Sequence, residues 1–173
     1  MKLLLLIVLV GAIAYFAPAP VQHVEQTVEI GTSRDKVWEI VGDPSTARLW
    51  DPGMKDLKVV SDVKLGPGAT LEAHGALVKT TETVKESIDY NRLSFDVKHD
   101  PDITRYETSA LSLEPTDRST CRVKWEMDYQ MAGGYLGHFA DQVLLGSVHG
   151  GRISDGLSNL KRYAETGETP ATL

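Results

Sequence analysis

The chain has 173 residues, a length that suits one domain with a sizeable core and not two comfortable ones. Its net charge is −6 and no run of Lys or Arg occurs, which argues against nucleic acid as a partner and against electrostatic docking on anionic lipids. Cys121 is the single cysteine, so an internal disulfide and a Cys-based metal cluster are excluded.

The N-terminal segment, residues 1–20, has the composition of a targeting or anchoring sequence. An unbroken apolar run from Leu3 to Ala17 follows Lys2 and ends at Pro18-Ala19-Pro20. Two alternatives stay open, an uncleaved membrane anchor and a signal peptide cleaved near residue 19. Both place the domain outside the cytoplasm, either on the outer side of the cell membrane or secreted or periplasmic.

The segment after this run has the pattern of a strand followed by two short helices. Apolar and polar residues alternate over Val24–Ile30, which predicts a half-buried strand. Thr32 with Asp35 resembles a capping box and predicts the start of a helix whose apolar face includes residues 37–41. A second short helix is predicted to end at Trp50-Asp51-Pro52.

The middle and end of the chain predict an antiparallel sheet and one long helix. The predicted strands are Met54–Asp62, Ala69–Leu77, Thr80–Tyr90, Leu93–Lys98, Ile103–Glu114 and Thr120–Met131. Apolar residues then recur at steps of three and four from Phe139 through Gly146 to Ala164, which predicts one long helix. Its glycines predict a kink or a close backbone approach near Gly150-Gly151. Residues 167–173 are predicted to form a flexible tail.

This order of elements, from Val24 to Thr166, resembles the START-like, helix-grip (SRPBCC) superfamily of polyketide cyclases, plant pathogenesis-related allergens and lipid carriers. Its more specific motifs are Val37-Trp38, Trp50-Asp51-Pro52, Leu65-Gly66-Pro67-Gly68-Ala69 and the closing segment Leu157–Glu165. The resemblance implies an α+β helix-grip fold over residues 21–166. In that fold a curved antiparallel sheet of about seven strands wraps around a long C-terminal helix and encloses a cavity.

The strands also indicate which side chains would line that cavity. In Thr120–Met131 the apolar residues share one parity and the charged residues take the other. The predicted ligand-binding residues are Leu93, Phe95, Val97, Val123, Trp125, Met127, Tyr129, Met131, Phe139 and Val143. Methionines and aromatic rings suit an apolar or amphipathic small molecule, although the same residues would also serve as a filled core.

Acid–base candidates are few and are not clearly paired. Glu86 shares parity with Val84, so it is predicted to point inward, where burial would raise its pKa and suit it to proton transfer. Tyr129 is a second candidate. His74 is a third, but its parity is opposite to that of Leu71, which predicts the solvent side unless a bulge reverses it.

No metal or cofactor is predicted. His138, Asp141 and His149 lie near one side of the predicted helix, but His149 is about 16 Å along the axis from the first of them at 1.5 Å per residue. The sequence contains no Gly-x-Ser-x-Gly, Walker or Gly-x-Gly-x-x-Gly motif.

Three functional hypotheses follow. The favoured one is an exported, membrane-tethered START-like domain that binds a hydrophobic small molecule or lipid without changing it. The second is an enzyme of the polyketide cyclase or dehydratase kind, and it is less favoured because no acid–base pair is recognisable. The third is a structural or interaction module whose interior is filled by its own side chains. The sequence carries no signal for an oligomeric state.

Overall fold

The computed structural model of the protein describes residues 2–54, 57–61, 66–74, 78–145 and 148–169. The elements in chain order are α1 (Lys2–Phe16), β1 (Gln22–Ile30), α2 (Arg34–Val41), α3 (Pro44–Trp50), a 3₁₀ turn (Pro52–Met54), β2 (Lys58–Val59), β3 (Thr70–His74), β4 (Lys79–Ile88), β5 (Arg92–Asp100), β6 (Thr104–Pro115), β7 (Cys121–Met131), α4 (Gly134–Ala140), a π-helical turn (Asp141–Leu145) and α5 (Val148–Thr166). Parts of several predictions lie outside the described residues, namely residues 55–56 and 62, Leu65, 75–77, Gly146 and the tail 170–173.

The predicted α+β helix-grip fold is confirmed. The strands of the described residues form one antiparallel sheet of seven strands in the order β1-β7-β6-β5-β4-β3-β2. Helix α5 covers one face of this sheet, here called the inner face, and buries Ile153, Leu157, Leu160 and Ala164 against it. The core therefore lies between the inner face and α5, with α2 and α3 closing one side.

Strand β7 shows why the sequence pattern of this region was informative. It pairs with β1 on one side, from Ile30 opposite Cys121 to Gln22 opposite Tyr129, and with β6 on the other. A strand held on both edges cannot slip in register, so its odd-numbered side chains all face the core. The predicted alternation is confirmed residue by residue along β7.

The start of α2 differs by one residue from the prediction. The N-cap is Ser33, whose Oγ accepts a hydrogen bond from the backbone N–H of Lys36 at 3.3 Å. Thr32 instead lies in the turn after β1, where its N–H donates to the Ile30 carbonyl. Either hydroxyl residue could cap a helix, and the tight turn after Ile30 leaves only Ser33 in the capping position.

The predicted single C-terminal helix is wrong in its first half. The chain forms α4, then the π-helical turn at Asp141–Leu145, and α5 begins only at Val148. The predicted close backbone approach near Gly150-Gly151 is wrong, because a Cβ added to either glycine would meet no other element within 4 Å among the described residues. Both glycines lie within α5, and a kink there stays a prediction. The close approach occurs at Gly156 instead, where an added Cβ would lie 2.5 Å from the Trp125 ring.

The N-terminal apolar run forms α1, a helix of 15 residues with no buried side chain. Within the described part of the chain, no helix is both long enough and apolar enough to cross a membrane.

Candidate functional site

The apolar wall predicted for the interior lies where the strand patterns placed it. The residues of β5 and β7 that are buried on the inner face are Leu93, Phe95, Val97, Val123, Trp125, Met127, Tyr129 and Met131. Edge-to-face packing of Trp50 on Trp125, with ring centroids 5.7 Å apart, links this wall to α3. The placement is established, and a contact of these residues with a ligand stays a prediction.

The two helical members of the predicted wall are not in the interior. Phe139 and Val143 are 67% and 61% exposed. The prediction placed them inside because it treated the apolar residues from Phe139 to Ala164 as one face of a continuous helix. The π-helical turn at Asp141–Leu145 changes the number of residues per turn at that point. Residues before the turn therefore do not share the inner side of α5.

A small cavity lies between α3 and the inner face. Its volume is about 30 Å³, room for about one water molecule. The side chains lining it include apolar residues of both core clusters together with Asp51, Glu82 and Ser109. Ser109 is held there because its Oγ accepts a hydrogen bond from Trp125 Nε1 at 2.8 Å.

A buried ionic cluster forms the polar side of this cavity. Arg152 of α5 donates from Nε and an Nη to the two carboxylate oxygens of Asp51, at 3.0 and 2.7 Å, and to Glu82 of β4 at 3.2 Å. Asp51 also accepts the N–H of Gly53 at 2.8 Å, which fixes it at the start of the 3₁₀ turn. The guanidinium also lies over the Trp125 ring, 5.6 Å from its centroid.

This cluster sets the protonation of Glu82. Burial raises the pKa of Glu82 to about 7, and the nearby negative charge of Asp51 acts in the same direction. Arg152 opposes both effects, but its two shorter hydrogen bonds go to Asp51. For Arg152 itself burial acts to lower the pKa, and the charges of Asp51 and Glu82 outweigh it and raise the pKa. Glu82 is therefore a group that exchanges a proton near neutral pH.

A second polar group lies at the end of β7 nearest the π-helical turn. The Tyr129 hydroxyl donates to Asp141 Oδ2 at 2.9 Å, and the centroids of the Tyr129 and His149 rings are 4.2 Å apart. Burial raises the pKa of Tyr129, and the hydrogen bond to Asp141 raises it further. Burial lowers the pKa of His149, so this imidazole is neutral at pH 7. Asp141 is fully buried, and its Oδ1 has no hydrogen-bond partner among the described residues.

A third polar pair lies where β5 and β6 separate. The ladder between these strands ends at Asp96 opposite Thr108, and beyond it His99 Nε2 lies 2.9 Å from Glu107 Oε2. The other ring nitrogen of His99 is 3.1 Å from the Thr80 hydroxyl. Burial acts to raise the Glu107 pKa, but hydrogen bonding and the charge of His99 outweigh it, so the pKa is lowered.

The three groups act as one electrostatic environment. The charge of Glu107 contributes an upward shift to the pKa values of Glu82, Tyr129 and His149. The charge of Arg152 contributes a downward shift to the pKa values of Glu107 and His149. The buried acidic residues are Asp51, Glu82, Glu107 and Asp141. Arg152 is the basic group that pairs with two of them, so carboxyl groups outnumber guanidinium groups in this interior. In the described residues no group of His, Cys, Asp and Glu is arranged to hold a metal ion.

The acid–base candidates from the sequence have three different outcomes. The inward placement of Glu86 is wrong, because a β-bulge between Val84 and Glu86 breaks the alternation and Glu86 pairs outside with Arg92 at 3.4 Å. His74 is exposed, as its parity predicted. Tyr129 is buried and hydrogen-bonded to Asp141.

The residues that form the charged part of the site were missed. Asp51 appears among the sequence features only within the motif Trp50-Asp51-Pro52, and Arg152 is not among the predicted site residues. Glu82 had a usable signal, because it shares parity with Val84 on the near side of the bulge. No sequence signal joins Asp51, Glu82 and Arg152, since they come from three separate elements.

Comparison with known proteins identifies the family and the fold. Residues 21–165 match the family described as polyketide cyclase / dehydrase and lipid transport. The chain belongs to this family. It is therefore a START-like domain of a family whose description names both enzymes and lipid transport.

Solved structures show the same fold at low sequence identity. An uncharacterised protein from Bacillus thuringiensis is 18% identical with a TM-score of 0.66, covering 83% of this chain and 98% of that one. Norcoclaurine synthase from Thalictrum flavum is 15% identical with a TM-score of 0.66, covering 88% of this chain and 98% of that one. Among curated proteins, none matches this sequence.

Proposed function

We propose that this domain binds a small molecule with an apolar body and a polar end in the interior between the sheet and α5. The observation that carries the proposal is the buried Arg152 held between Asp51 and Glu82 beside an apolar wall. A filled core has no need of such a group, because removing charges from water costs several kcal/mol per ion. Clusters of buried, perturbed charges in a fold of this kind are typical of functional sites.

The charge of the interior favours one kind of polar end. Asp51 and Glu82 share one guanidinium, and Asp141 has an oxygen without a partner among the described residues. A ligand group that donates hydrogen bonds or carries a positive charge would compensate these acceptors. An anionic head group would lie against these carboxyl groups and is disfavoured.

Ligand binding on this proposal requires the interior to open. The cavity in the described residues is about 30 Å³, whereas pockets for drug-sized ligands are typically about 300–1,000 Å³. Side chains between α3 and the inner face must therefore move apart when a ligand enters. A ligand that binds the opened form will also stabilise the folded protein, by an amount that grows with the logarithm of its concentration above the dissociation constant.

Binding is tested with probes that share one aromatic body and differ in the head group. The probes are 2-phenylethylamine, 2-phenylethanol and 3-phenylpropanoate, titrated against the full chain by calorimetry at pH 7.5. We expect the amine to bind about tenfold more tightly than the carboxylate, a difference of about 1.4 kcal/mol. Preference for the carboxylate would contradict the assignment of the polar end, and no binding of any probe would count against an interior site.

Two glutamates of β4 supply matched variants for this test. Glu82→Gln removes the buried carboxylate, and Glu86→Gln removes an exposed one on the same strand. The amine should lose its advantage in Glu82→Gln and keep it in Glu86→Gln. Native mass spectrometry of the full chain purified from its own host would then identify the natural ligand.

A second candidate function is proton-transfer catalysis of the cyclase or dehydratase kind. It is favoured by the burial of Glu82 beside Asp51 and Arg152, because burial raises the pKa of Glu82 to about 7, a value that suits a general acid or base. Incubation of the recovered ligand with the protein in D₂O tests it, with deuterium incorporation or a change in mass as the readout. Catalysis predicts that Glu82→Gln abolishes this change, and an unchanged ligand in the wild-type protein supports binding alone.

Our proposal for the N-terminal segment is that α1 directs or anchors the domain outside the cytoplasm. Leu3–Val10 and Phe16 are largely exposed in the structure, and an exposed apolar surface of this extent is unfavourable in water. A topology reporter fused after Leu173 should be active only outside the cytoplasm. Activity inside would contradict export.

A further inference from the structure

Helix α4 and the turn after it present large apolar side chains to the outside. Tyr135 and Leu136 are 51% and 49% exposed, and the following Phe139 and Val143 are still more exposed. Within α4 the spacing of three to four residues places Tyr135 and Leu136 on the same side as Phe139, and the exposed Val143 follows in the π-helical turn. We call these residues, Tyr135, Leu136, Phe139 and Val143, the α4 face. Single exposed apolar residues are common, but a contiguous set of this kind marks an interaction surface.

The α4 face is joined to α1 by a close backbone contact. Gly134 has a φ of +57°, and an added Cβ would collide with the carbonyl oxygens of Tyr15 and Ala17. The Tyr15 ring in turn lies against Gly133, where a Cβ would be 3.3 Å from it. Glycine at both positions thus lets the end of α1 pack directly on the start of α4.

The connection from α1 to the domain is short and attached to the sheet. Only residues 17–21 separate α1 from β1. Ala19 within this link is buried, and its carbonyl oxygen accepts a hydrogen bond from the Gln130 side chain of β7. The link therefore does not act as a loose tether, and α4 stays beside the end of α1.

From this arrangement we propose that the α4 face lies on the lipid bilayer surface at the point where α1 enters the membrane. The inference rests on the proposed anchoring by α1. Tyr15, Phe16, Tyr135 and Phe139 are all exposed near this junction, and aromatic side chains favour the membrane–water interface. The bilayer is the occupant because the α4 face is continuous with an apolar helix suited to lipid.

The charges of this segment predict how the contact depends on lipid composition. Residues 132–145 contain no Lys, Arg or Glu, and the one Asp, Asp141, is buried. Attraction to anionic head groups therefore contributes little, and insertion of apolar side chains carries the contact. We expect the depth of the α4 face to be the same in neutral and anionic vesicles.

Site-directed spin labelling of the full chain in lipid vesicles tests the proposal. Labels are placed at Phe139→Cys or Val143→Cys, with Arg118→Cys as the control in the exposed turn at the far end of β7. The native Cys121 is fully buried, and the unmodified chain serves as the labelling blank. In vesicles of pure phosphatidylcholine, the labels at 139 and 143 should be accessible to oxygen and lose accessibility to a nickel chelate, while the label at 118 stays accessible to the chelate.

Two negative outcomes can be told apart. If the protein floats with the vesicles but the label at 139 is as accessible to the chelate as the label at 118, the α4 face does not contact lipid and the inference is wrong. If the protein does not float at all, the anchor proposal fails and this inference fails with it. Gly134→Leu gives an independent check, because separating α1 from α4 should return the label at 139 to water while flotation persists.

Discussion

Strand β7 and the segment from α4 to the π-helical turn carry equally clear apolar patterns, and only one of them faces the core. Every odd-numbered residue of β7 from Cys121 to Met131 is buried, whereas Phe139 and Val143 are exposed. The β7 pattern is held by neighbours on both edges. The helical pattern depended on an unbroken helix, and the π-helical turn breaks it. A periodic pattern thus predicts burial only where the geometry that generates the period is maintained.

The largest expected effect is on the β7 side of this comparison. Trp125→Ala removes a buried ring that packs on Trp50, donates to Ser109 and lies under Arg152. We expect the free energy of unfolding to fall by about 3–5 kcal/mol, measured by chemical denaturation. Trp125→Phe should lose less, because it keeps an aromatic ring in place. A loss in Trp125→Ala no larger than that of a surface substitution would mean that the β7 wall is not the core.

The next effect concerns Glu82, the buried carboxyl group that lies beside the apolar residues of β7. The pKa of Glu82 is about 7 in the folded protein against 4.5 in the unfolded chain, so the folded state holds more protons between these values. Stability contributed by this group should therefore fall as pH rises from about 4.5 to 7, by about 3 kcal/mol at most. His149 acts in the opposite direction, because its lowered pKa makes the folded state lose stability as pH falls below 6.5.

The contribution of Glu82 is isolated by the difference between variants. Unfolding free energies of the wild-type protein and Glu82→Gln are measured across this pH range. The wild-type value minus the Glu82→Gln value should fall as pH rises, because only the wild-type protein loses this contribution. Glu86→Gln provides the exposed control and should follow the wild-type curve. A difference that is constant with pH would contradict a raised pKa for Glu82.

A smaller effect is expected where α5 meets the β7 wall. An added Cβ at Gly156 would lie 2.5 Å from the Trp125 ring, so Gly156→Ala must displace the ring or the helix. Overpacking of this kind costs about 1–3 kcal/mol, and it should outweigh the gain in helix propensity of about 1 kcal/mol. Gly150→Ala is the matched control, since its added Cβ would meet no other element within 4 Å in the described part of the chain, and it should be neutral or stabilising. Equal stability of the two variants in thermal unfolding would argue against the close approach.

The smallest effect is expected on the α4 side of the comparison. Phe139→Ala and Val143→Ala should each change the unfolding free energy by no more than about 0.5 kcal/mol, because exposed side chains contribute little to the core. A loss of several kcal/mol in denaturation of the protein in detergent would show that these residues are buried in the folded chain. Both outcomes bear directly on the contrast with Trp125.

Most of the fold was accessible from the sequence, and only part of the site was. Strands β4 to β7 lie within a few residues of their predicted bounds, since alternation and turn residues are local signals. The bulge at Val84/Glu86 reversed the predicted side of Glu86, and no local signal marked it. The apolar wall was correct on the strands because register fixes it. The charged cluster was missed because its members come from α5, β4 and the end of α3.

The sequence by itself determined the helix-grip fold, the family to which the chain belongs and the inner face of β7. The inner face of β7 follows from periodicity, which acts over a few residues. The fold and the family follow from the resemblance of the element order and of motifs such as Trp50-Asp51-Pro52 to the helix-grip superfamily. Only the tertiary structure decided that Arg152 is held between Asp51 and Glu82 and that Phe139 and Val143 are exposed. Both depend on how whole elements pack. The charged cluster joins residues that are distant in sequence, and the π-helical turn changes the direction in which the side chains of Phe139 and Val143 point.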